Sequence, residues 1–260
     1  MKLVNNVTQG DCLEVMQHIP DKSIDMILCD LPYEITYCEW DNKIDLEKLW
    51  AQYMRIIKPR GAIVLTATMP FASDLIQSNR KWFRHDWVWK KSYATAGHCA
   101  KYKPMRNHEY VLVFGKSGVN YYPQMIKLDK PCAMKAGYGS LSIAGHHKKY
   151  NWHNEKTYTH KQPRSVIDAG KKWKYMRGKW HPTSKPVGLF KYLVKTYTKE
   201  GDLVLDNCAG GGTTAIACLL TNRKYIVIEK EQKYCDVIVE RIRLAKEKLL
   251  AKLEVKNKGD

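Results

Sequence analysis

A glycine-rich turn between a predicted strand and a predicted helix, near the C-terminal end, constrains the fold of this chain most strongly. The stretch reads Asp202-Leu-Val-Leu-Asp-Asn-Cys-Ala-Gly-Gly-Gly-Thr-Thr-Ala215. Glycines let a backbone approach a ligand closely, and the start of the following helix offers unpaired N–H groups. Glu229 ends the next predicted strand, nineteen residues after Gly210, where a carboxylate can accept hydrogen bonds from both ribose hydroxyls. The pattern predicts a nucleoside pocket.

The same glycines, in the pattern Gly210-x-Gly212-x-x-Ala215, also match the dinucleotide fingerprint of NAD and FAD enzymes. After Glu229, however, the pattern predicts only one long helix and a tail. The other strands of the sheet must therefore come from earlier in the chain. A nucleoside-binding half at the end of the sequence is a permuted order, which is unexpected for a dehydrogenase.

Short apolar runs alternate with amphipathic stretches along most of the chain, as is typical of an α/β protein. The predicted strands are 3–7, 24–29, 62–67, 84–90, 109–114, 203–206 and 225–229. The predicted helices are 13–19, 46–57, 71–78, 187–197, 213–220 and 232–253, and residues 254–260 are expected to form a frayed tail. Thr213 or Thr214 is expected to cap the fifth helix. The fold class is thus α/β, with a Rossmann-like sheet of seven strands flanked by helices.

Residues 116–180 form the most basic part of the chain. They contain fourteen Lys and Arg against three acids, so they supply eleven of the eighteen excess positive charges. Nine Tyr and Trp are interspersed among them. Basic side chains mixed with aromatic rings suit phosphate contact and base stacking, and a solvated insertion is the alternative. The candidate nucleic-acid contacts are Lys148, Lys149, Arg164, Lys171 and Lys172.

Several other features limit the class of protein. No apolar run approaches the about 20 residues of a membrane span, and the polar start of the chain lacks a signal-peptide core. The eight cysteines include no Cys-x-x-Cys pair and are expected to be buried, reduced thiols. No Cys or carboxylate set accompanies the histidines at zinc-finger spacing. We therefore expect a cytoplasmic protein without a metal site and without a membrane partner.

Two further motifs carry polar groups beside predicted elements. Asp30-Leu31-Pro32-Tyr33 follows the apolar run 24–29. The simplest interpretation of these four residues is a turn after a strand, since Pro fixes its own φ and restricts the residue before it. In His181-Pro-Thr-Ser-Lys-Pro186, Thr183 or Ser184 can cap the following helix, and Pro186 fits its first turn. With Lys185 beside it, that helix start can hold a carboxylate.

Together these motifs resemble the amino-group DNA methyltransferases that use S-adenosylmethionine, in the permuted order called the beta class, and in particular short phage-type or orphan adenine methylases. Asp30 to Tyr33 matches the D-P-P-Y pattern, with Leu31 in place of the first proline. His181 to Pro186 matches the H-P-T-x-K-P box, and Gly10-Asp11 matches the acidic site that follows the cofactor loop in the unpermuted order. The segment 206–214 matches the cofactor loop of the family. It departs from the family pattern at Cys208, where an aromatic residue is common, and at Gly211, where Ser is usual. The resemblance covers about residues 7–242.

The resemblance implies a domain organisation and a set of site residues. Residues 1–115 would be the catalytic half of a methyltransferase domain, 116–180 an inserted target-recognition region, 181–253 the S-adenosylmethionine-binding half, and 254–260 a tail. The implied cofactor contacts are Asp11, Thr183, Ser184, Lys185, Asp206, Asn207, Ala209, Gly210, Gly212, Thr213, Thr214 and Glu229.

The implied catalytic residues are Asp30, Leu31, Pro32 and Tyr33. Asp30 would accept one N–H of the target amine and the carbonyl of Leu31 or Pro32 the other, while Tyr33 would stack on a base flipped out of the duplex. The sulfonium supplies the driving force, so neither a metal nor a covalent nucleophile is needed. Trp89-Lys90-Lys91 and His108-Glu109 also match positions in relatives, where they either support the base pocket as strand ends or contact the base.

The predicted reaction is sequence-specific methylation of adenine N6 in double-stranded DNA, by an enzyme that can form a homodimer. Cytosine N4 is the alternative within the family, whose cytosine enzymes more often carry Ser at the position of Asp30. A catalytically inactive nucleic-acid-binding protein is the alternative from another class, and RNA is an alternative substrate. Pro131-Cys132 resembles the nucleophile of carbon-5 cytosine methylases but lies away from the cofactor motifs.

Overall fold

A computed structural model of the chain describes residues 3–33, 44–134, 137–143, 146–152, 156–168, 180 and 184–257. The chain divides into two compact units. Unit 1 comprises Met1–Tyr122 and Ser165–Asp260, and unit 2 comprises Pro123–Arg164. Unit 2 therefore begins and ends inside the basic segment that was predicted as the insertion.

The described residues contain twelve strands, eight of which form the central sheet of unit 1. In chain order the strands are β1 (Asn6–Gln9), β2 (Ile24–Cys29), β3 (Ile57–Ala67), β4 (Phe83–Thr95), β5 (Arg106–Phe114), β6 (Ile126–Met134), β7 (Gly137–Ile143), β8 (His146–Trp152), β9 (Lys156–Lys161), β10 (Val166–Asp168), β11 (Leu203–Asp206) and β12 (Lys224–Glu229). The order in the central sheet is β1-β12-β11-β2-β3-β5-β4-β10. Only β5 runs antiparallel to its neighbours there.

Six α-helices in the described ranges cover the two faces of this sheet: α1 (Cys12–Met16), α2 (Leu46–Ile56), α3 (Phe71–Ser78), α4 (Val187–Tyr197), α5 (Thr213–Leu219) and α6 (Gln232–Asn257). Alternate residues of β2 face opposite layers because successive side chains of a strand point to opposite faces. Ile27 packs with the apolar side of α1, α2 and α3. Leu28 packs with that of α4, α5 and α6.

The strand directions bring the ends of both chain halves to one edge of the sheet. Strands β1, β2, β3, β4, β11 and β12 all run the same way, so their carboxyl ends lie along one side, which we call the carboxyl edge. The halves meet where β2 pairs with β11, at Met26 with Val204 and Ile27 with Leu205. Ligands of open α/β sheets bind beyond such an edge, where the strand order reverses.

The α/β class is confirmed, and several elements have the predicted bounds, including β2, α3, α4 and β11. The sheet has one strand more than the seven predicted, because the three-residue β10 pairs with Val88–Lys90 and is too short to show periodicity. Strand β1 starts at Asn6 because Asn5 takes a left-handed conformation, φ 58°. Helix α6 continues to Asn257, so the predicted tail at 254 was placed too early.

Unit 2 consists of two antiparallel ribbons, β6 with β9 and β7 with β8. Lys148 and Lys149 lie on β8, opposite Leu141 and Ser140, and Arg164 is exposed at the end of the unit. The seven cysteines in the described residues are free thiols, and Cys38 lies outside them. The expected burial is wrong for Cys132, which is exposed on the β6 ribbon, and for Cys99 and Cys208, which are half-buried. None of the helices in the described ranges carries an apolar stretch that could span a bilayer.

Candidate active site

Asp30 follows β2 at the carboxyl edge and is held by three donors. Its Oδ1 accepts hydrogen bonds from the hydroxyls of Tyr33 and Thr66, and its Oδ2 accepts one of 2.6 Å from Lys185 Nζ. A carboxylate offers about four acceptor positions. The three donors therefore fix the orientation of the Asp30 side chain, which is 22% exposed, and leave it capacity for one more N–H.

Lys185, just before α4, joins the two motifs that the sequence singled out. Its backbone carbonyl accepts a hydrogen bond of 3.2 Å from Thr213 Oγ1 in the glycine loop, while its ammonium contacts Asp30. The ammonium also lies 3.4 Å from Glu109 Oε2, a charge contact without hydrogen-bond geometry. Burial opposes the charged form, but Asp30, Tyr33 and Glu109 raise the pKa of Lys185 well above its ordinary value.

Glu109 on β5 and Lys91 on β4 complete a buried charge cluster of Asp30, Lys185, Glu109 and Lys91. Lys91 Nζ forms an ion pair with Glu109 Oε1, and Glu109 is 7% exposed. Burial would raise the pKa of Glu109, but the ammonium groups of Lys185 and Lys91 hold it below its ordinary value. The cluster balances two cations against two anions, as buried charges require.

Tyr33 is part of the same constellation. Its hydroxyl lies 3.0 Å from Thr66 Oγ1 as well as donating to Asp30. Its ring packs against Phe71, with centroids 5.2 Å apart at 37°, and the Lys185 ammonium lies 5.5 Å from its centroid. Burial and the charge of Asp30 raise the pKa of Tyr33 well above its ordinary value. The hydroxyl therefore stays protonated and acts as a donor to Asp30.

The glycine loop between β11 and α5 adopts conformations that need glycine. Gly210 and Gly212 have φ values of 50° and 72°, in the left-handed region that residues with a side chain rarely occupy. A Cβ at Gly212 would lie 2.7 Å from Ile238 Cγ2 on α6. Gly212 is itself the N-cap of α5 and no side chain caps the helix. The expected cap by Thr213 or Thr214 is wrong because Lys185 O and Asp206 engage their hydroxyls.

The polar residues before the loop are buried and bonded within the protein. Asp206 Oδ2 accepts a hydrogen bond of 2.5 Å from Thr214 Oγ1, and its Oδ1 accepts one of 3.2 Å from Cys208 N. Burial raises the pKa of Asp206 to about 7. Asn207 Oδ1 accepts a hydrogen bond of 2.5 Å from Tyr53 OH. These buried contacts hold the first residues of the loop in place.

Glu229 closes β12 beside the loop. Its Oε2 accepts a hydrogen bond of 2.7 Å from Gly210 N, and its Oε1 accepts one of 3.0 Å from Glu231 N. Burial raises its pKa, and these backbone donors oppose that effect. Each oxygen keeps a further acceptor position. Asp11 lies nearby, since Gly10 N donates to Glu229 O at 3.0 Å, and its own Oδ1 accepts a hydrogen bond from Leu13 N at the start of α1.

The remaining predicted site residues are less well placed by the structure. Thr183, Lys171 and Lys172 lie outside the described residues. Ser184 does not cap α4, whose N-cap is Pro186 without a side-chain bond, and its buried Oγ has no partner among the described residues. Leu31 is buried in the core and Ala209 is also buried. Pro32 is half-buried.

Sequence reasoning missed three contributors to the site. Thr66 on β3 and the pairing of Lys91 with Glu109 depend on strand register, which local patterns do not give. Arg241 on α6 donates to Gly211 O and lies with its guanidinium 5.8 Å from the Trp180 ring; burial lowers its pKa to about 10. Within the described ranges no group of three or more potential ligands could hold a metal ion.

Known proteins are similar to this chain in both sequence and fold. Residues 24–240 match the family model described as DNA methylase. The chain is 25% identical to the type II methyltransferase M2.MboI of Moraxella bovis, over 89% of this chain and 85% of that one. It is 28% identical to the DNA adenine methyltransferase YhdJ of Escherichia coli (strain K12), over 92% and 83%.

Among solved structures, the complex of M1.HpyAVI with SAM superimposes with a TM-score of 0.60 at 20% identity, over 91% of this chain and 98% of that one. At that identity the likeness concerns the fold alone, and it agrees with the sheet described above. The family model spans most of the chain and includes both Asp30 and the glycine loop. The chain therefore belongs to the DNA methylase family, as its motifs predicted.

Proposed function

We propose that this protein transfers a methyl group from S-adenosylmethionine to the N6 amino group of adenine in double-stranded DNA. One observation carries the proposal: Lys185 links the two halves of the site. Its carbonyl bonds to Thr213 of the glycine loop and its ammonium to Asp30. A methyl donor held at the loop and an amine held at Asp30 would thus lie at one edge of one sheet.

The residues of the C-terminal half fit the cofactor. Glu229 keeps acceptor positions for ribose hydroxyls, and Ser184 offers a buried hydroxyl without a partner in the described residues. Left-handed glycines at 210 and 212 let the backbone approach a ligand. When bound, the cofactor supplies an electrophilic methyl group on a sulfonium. Lys185 was expected to hold the cofactor carboxylate; its contact with Asp30 supports a role at the amine instead.

Asp30 would orient the target amine. An exocyclic amine is a poor nucleophile because its lone pair is delocalised into the ring, so its two N–H groups must be held for the lone pair to face the methyl group. Asp30 has room to accept one N–H, and the carbonyl of Leu31 or Pro32 would accept the other. The carboxylate also stabilises the positive charge that develops on the amine. Tyr33 would flank the flipped base.

Adenine is the favoured base. The relative YhdJ is named a DNA adenine methyltransferase, and Asp30, rather than Ser, occupies the acceptor position that the resemblance assigns. We further propose that the protein acts in the cytoplasm, where its substrate DNA would lie. A homodimer is proposed on the resemblance alone, and light scattering after size-exclusion chromatography tests it.

Target recognition is assigned to the basic segment 116–180. Neutralising Lys148, Lys149, Lys171 and Lys172 together should weaken DNA binding and flatten its salt dependence, because each lost phosphate contact removes close to one unit from the log–log slope. Cofactor affinity should stay unchanged. An unchanged slope would place the DNA elsewhere on the protein.

The experiment that tests the function is methyl transfer from labelled S-adenosylmethionine to unmethylated duplex DNA, followed by nucleoside digestion and mass identification of the product. N6-methyladenine is expected. N4-methylcytosine would support the alternative within the family, and 5-methylcytosine would contradict the mechanism. DNA binding without any methyl transfer would support an inactive binding protein.

A further inference from the structure

The β4–β5 hairpin extends beyond the carboxyl edge next to Asp30. The last residue pair between β3 and β5 is Ala67 with Tyr110, whereas β4 and β5 continue to pair as far as Thr95 with Arg106. The free end of the hairpin, residues 92–108, is called here the hairpin arm. At its base, Glu109 and Lys91 belong to the buried charge cluster that contains Asp30. The arm is therefore anchored in the candidate active site.

The tip of the arm has a defined conformation. A short 3₁₀ turn occupies Gly97–Cys99, and the carbonyl of Cys99 accepts hydrogen bonds of 2.9 and 3.1 Å from the backbone N–H groups of Tyr102 and Lys103. Thr95 Oγ1 donates to Arg106 O across the hairpin at 3.1 Å. Arg106 also donates to Met69 O at 3.2 Å, which attaches the arm to the segment that follows β3. These contacts define the backbone conformation of the arm.

This ordered tip exposes apolar side chains. Tyr102 is 88% exposed and Met105 is 45% exposed; Met69, which the arm contacts through Arg106, is also 45% exposed. The backbone turn holds Tyr102 away from the core, so burial of its ring does not stabilise the fold. Its ring is available to a partner.

The charge of the arm indicates the partner. Between Asp86 and Glu109 the sequence has no acid and five cations. Lys90 and Lys91 pair with Asp168 and Glu109. Lys101 and Lys103 flank Tyr102, are exposed, and have no carboxylate partner among the described residues. An exposed ring between two free ammonium groups suits a polyanion with stacking bases.

We propose that the hairpin arm is a second DNA-contacting element, outside the basic insertion. Lys101 and Lys103 bind phosphates beside the target base. Tyr102 stacks on the neighbouring and opposite bases that lose their stacking or pairing partner when the target nucleotide flips out. The proposal rests on the proposed function, because it needs a flipped base beside Asp30. Extrusion of a base costs stacking and pairing energy. A ring supplied next to the vacated position restores part of that stacking.

The test of the ring compares Tyr102→Ala with Tyr102→Phe. The DNA substrates are duplex oligonucleotides that contain the site methylated by the wild type, and that site is first identified by mapping the modified bases in genomic DNA. Tyr102→Ala should raise the KM for DNA about 5- to 100-fold and reduce the fluorescence rise of 2-aminopurine placed at the target position. Tyr102→Phe should restore both. Because the side chain is exposed, the melting temperature and cofactor affinity of both variants should match the wild type, so loss of folding is excluded directly.

The test of the lysines uses a matched control at the opposite edge of the sheet. Lys101→Gln with Lys103→Gln should lower the salt slope of DNA binding by close to two units. Lys224→Gln with Lys246→Gln makes the same change in net charge at exposed positions near the start of β12 and on α6, and should leave the slope unchanged.

If Tyr102→Ala retains the KM and the 2-aminopurine signal while the wild type methylates DNA, the arm is not a DNA contact and the proposal is overturned, although the proposed function stands. Equal slopes for both lysine pairs would also overturn it. A wild type that binds DNA and never methylates it would instead contradict the proposed function.

Discussion

The two ends of the candidate site are held by different interactions. Around Asp30, charged side chains from separate elements hold one another: Lys91 lies on β4, Glu109 on β5 and Lys185 two residues before α4. Around Gly210, backbone N–H groups and glycine conformations shape the site. A side-chain cluster can adjust when a substrate enters, whereas a backbone turn is preformed. The difference predicts that substitutions at the first end slow the reaction and those at the second weaken cofactor binding.

Among variants that keep Asp30, the largest effect on this comparison is expected from Glu109→Gln. With Glu109 neutral, Asp30 is the only carboxylate left in the cluster to balance the ammonium groups of Lys91 and Lys185. Lys185 then interacts more strongly with Asp30, which becomes a weaker acceptor for the target amine. We expect kcat to fall about 10- to 100-fold, the equivalent of about 1.5–3 kcal/mol for a hydrogen bond to a charged group. The cofactor Kd should stay within about twofold of the wild type.

The matched control for this variant is Glu240→Gln, which removes an exposed ion pair with Arg243 on α6. Surface pairs contribute about 0–1 kcal/mol, so its kcat should equal that of the wild type. If Glu109→Gln changed cofactor affinity and left kcat unchanged, the assignment of the charge cluster to the amine would be wrong.

At the other end, Glu229→Ala should weaken S-adenosylmethionine binding about 10-fold or more, because a charge-assisted acceptor is worth about 1.5–3 kcal/mol. Isothermal calorimetry measures the Kd. At saturating cofactor the single-turnover rate should approach that of the wild type. Equal affinity in the two proteins, or tight binding of NAD in place of S-adenosylmethionine, would contradict the assignment of the pocket.

A further prediction concerns stability at the buried Asp206. Its pKa is about 7 in the folded protein, above the ordinary value of 3.8, so the unfolded chain releases this proton at lower pH than the folded one. Its contribution to the free energy of unfolding should therefore fall as the pH rises from about 4 to about 7 and then level off. Asp206→Asn should lack that slope. Parallel denaturation series at several pH values check this, and identical slopes would refute the raised pKa.

The sequence predicted what is local in this protein. Apolar periodicity located β2, β11 and α4, and a turn that needs glycine at 210 and 212 identified the cofactor end. It did not predict that Lys185 reaches Asp30, because residues 155 positions apart meet only through the strand order. The partnership of Lys91 with Glu109 depends on the β4–β5 register, and a bulge between Lys90 and Thr95 interrupts that register. The cap of α5 was mispredicted because buried acceptors bind the hydroxyls of Thr213 and Thr214. The cap of α4 was mispredicted because Pro186 occupies the N-cap position.

Asp30→Ala tests the central claim, that Asp30 orients the target amine for methyl transfer. At saturating S-adenosylmethionine and duplex DNA, we expect the single-turnover rate of N6-methyladenine formation to fall by several orders of magnitude, while cofactor affinity stays near the wild type, since the interaction is made mainly in the transition state. A wild-type rate in the Asp30→Ala variant would contradict the account.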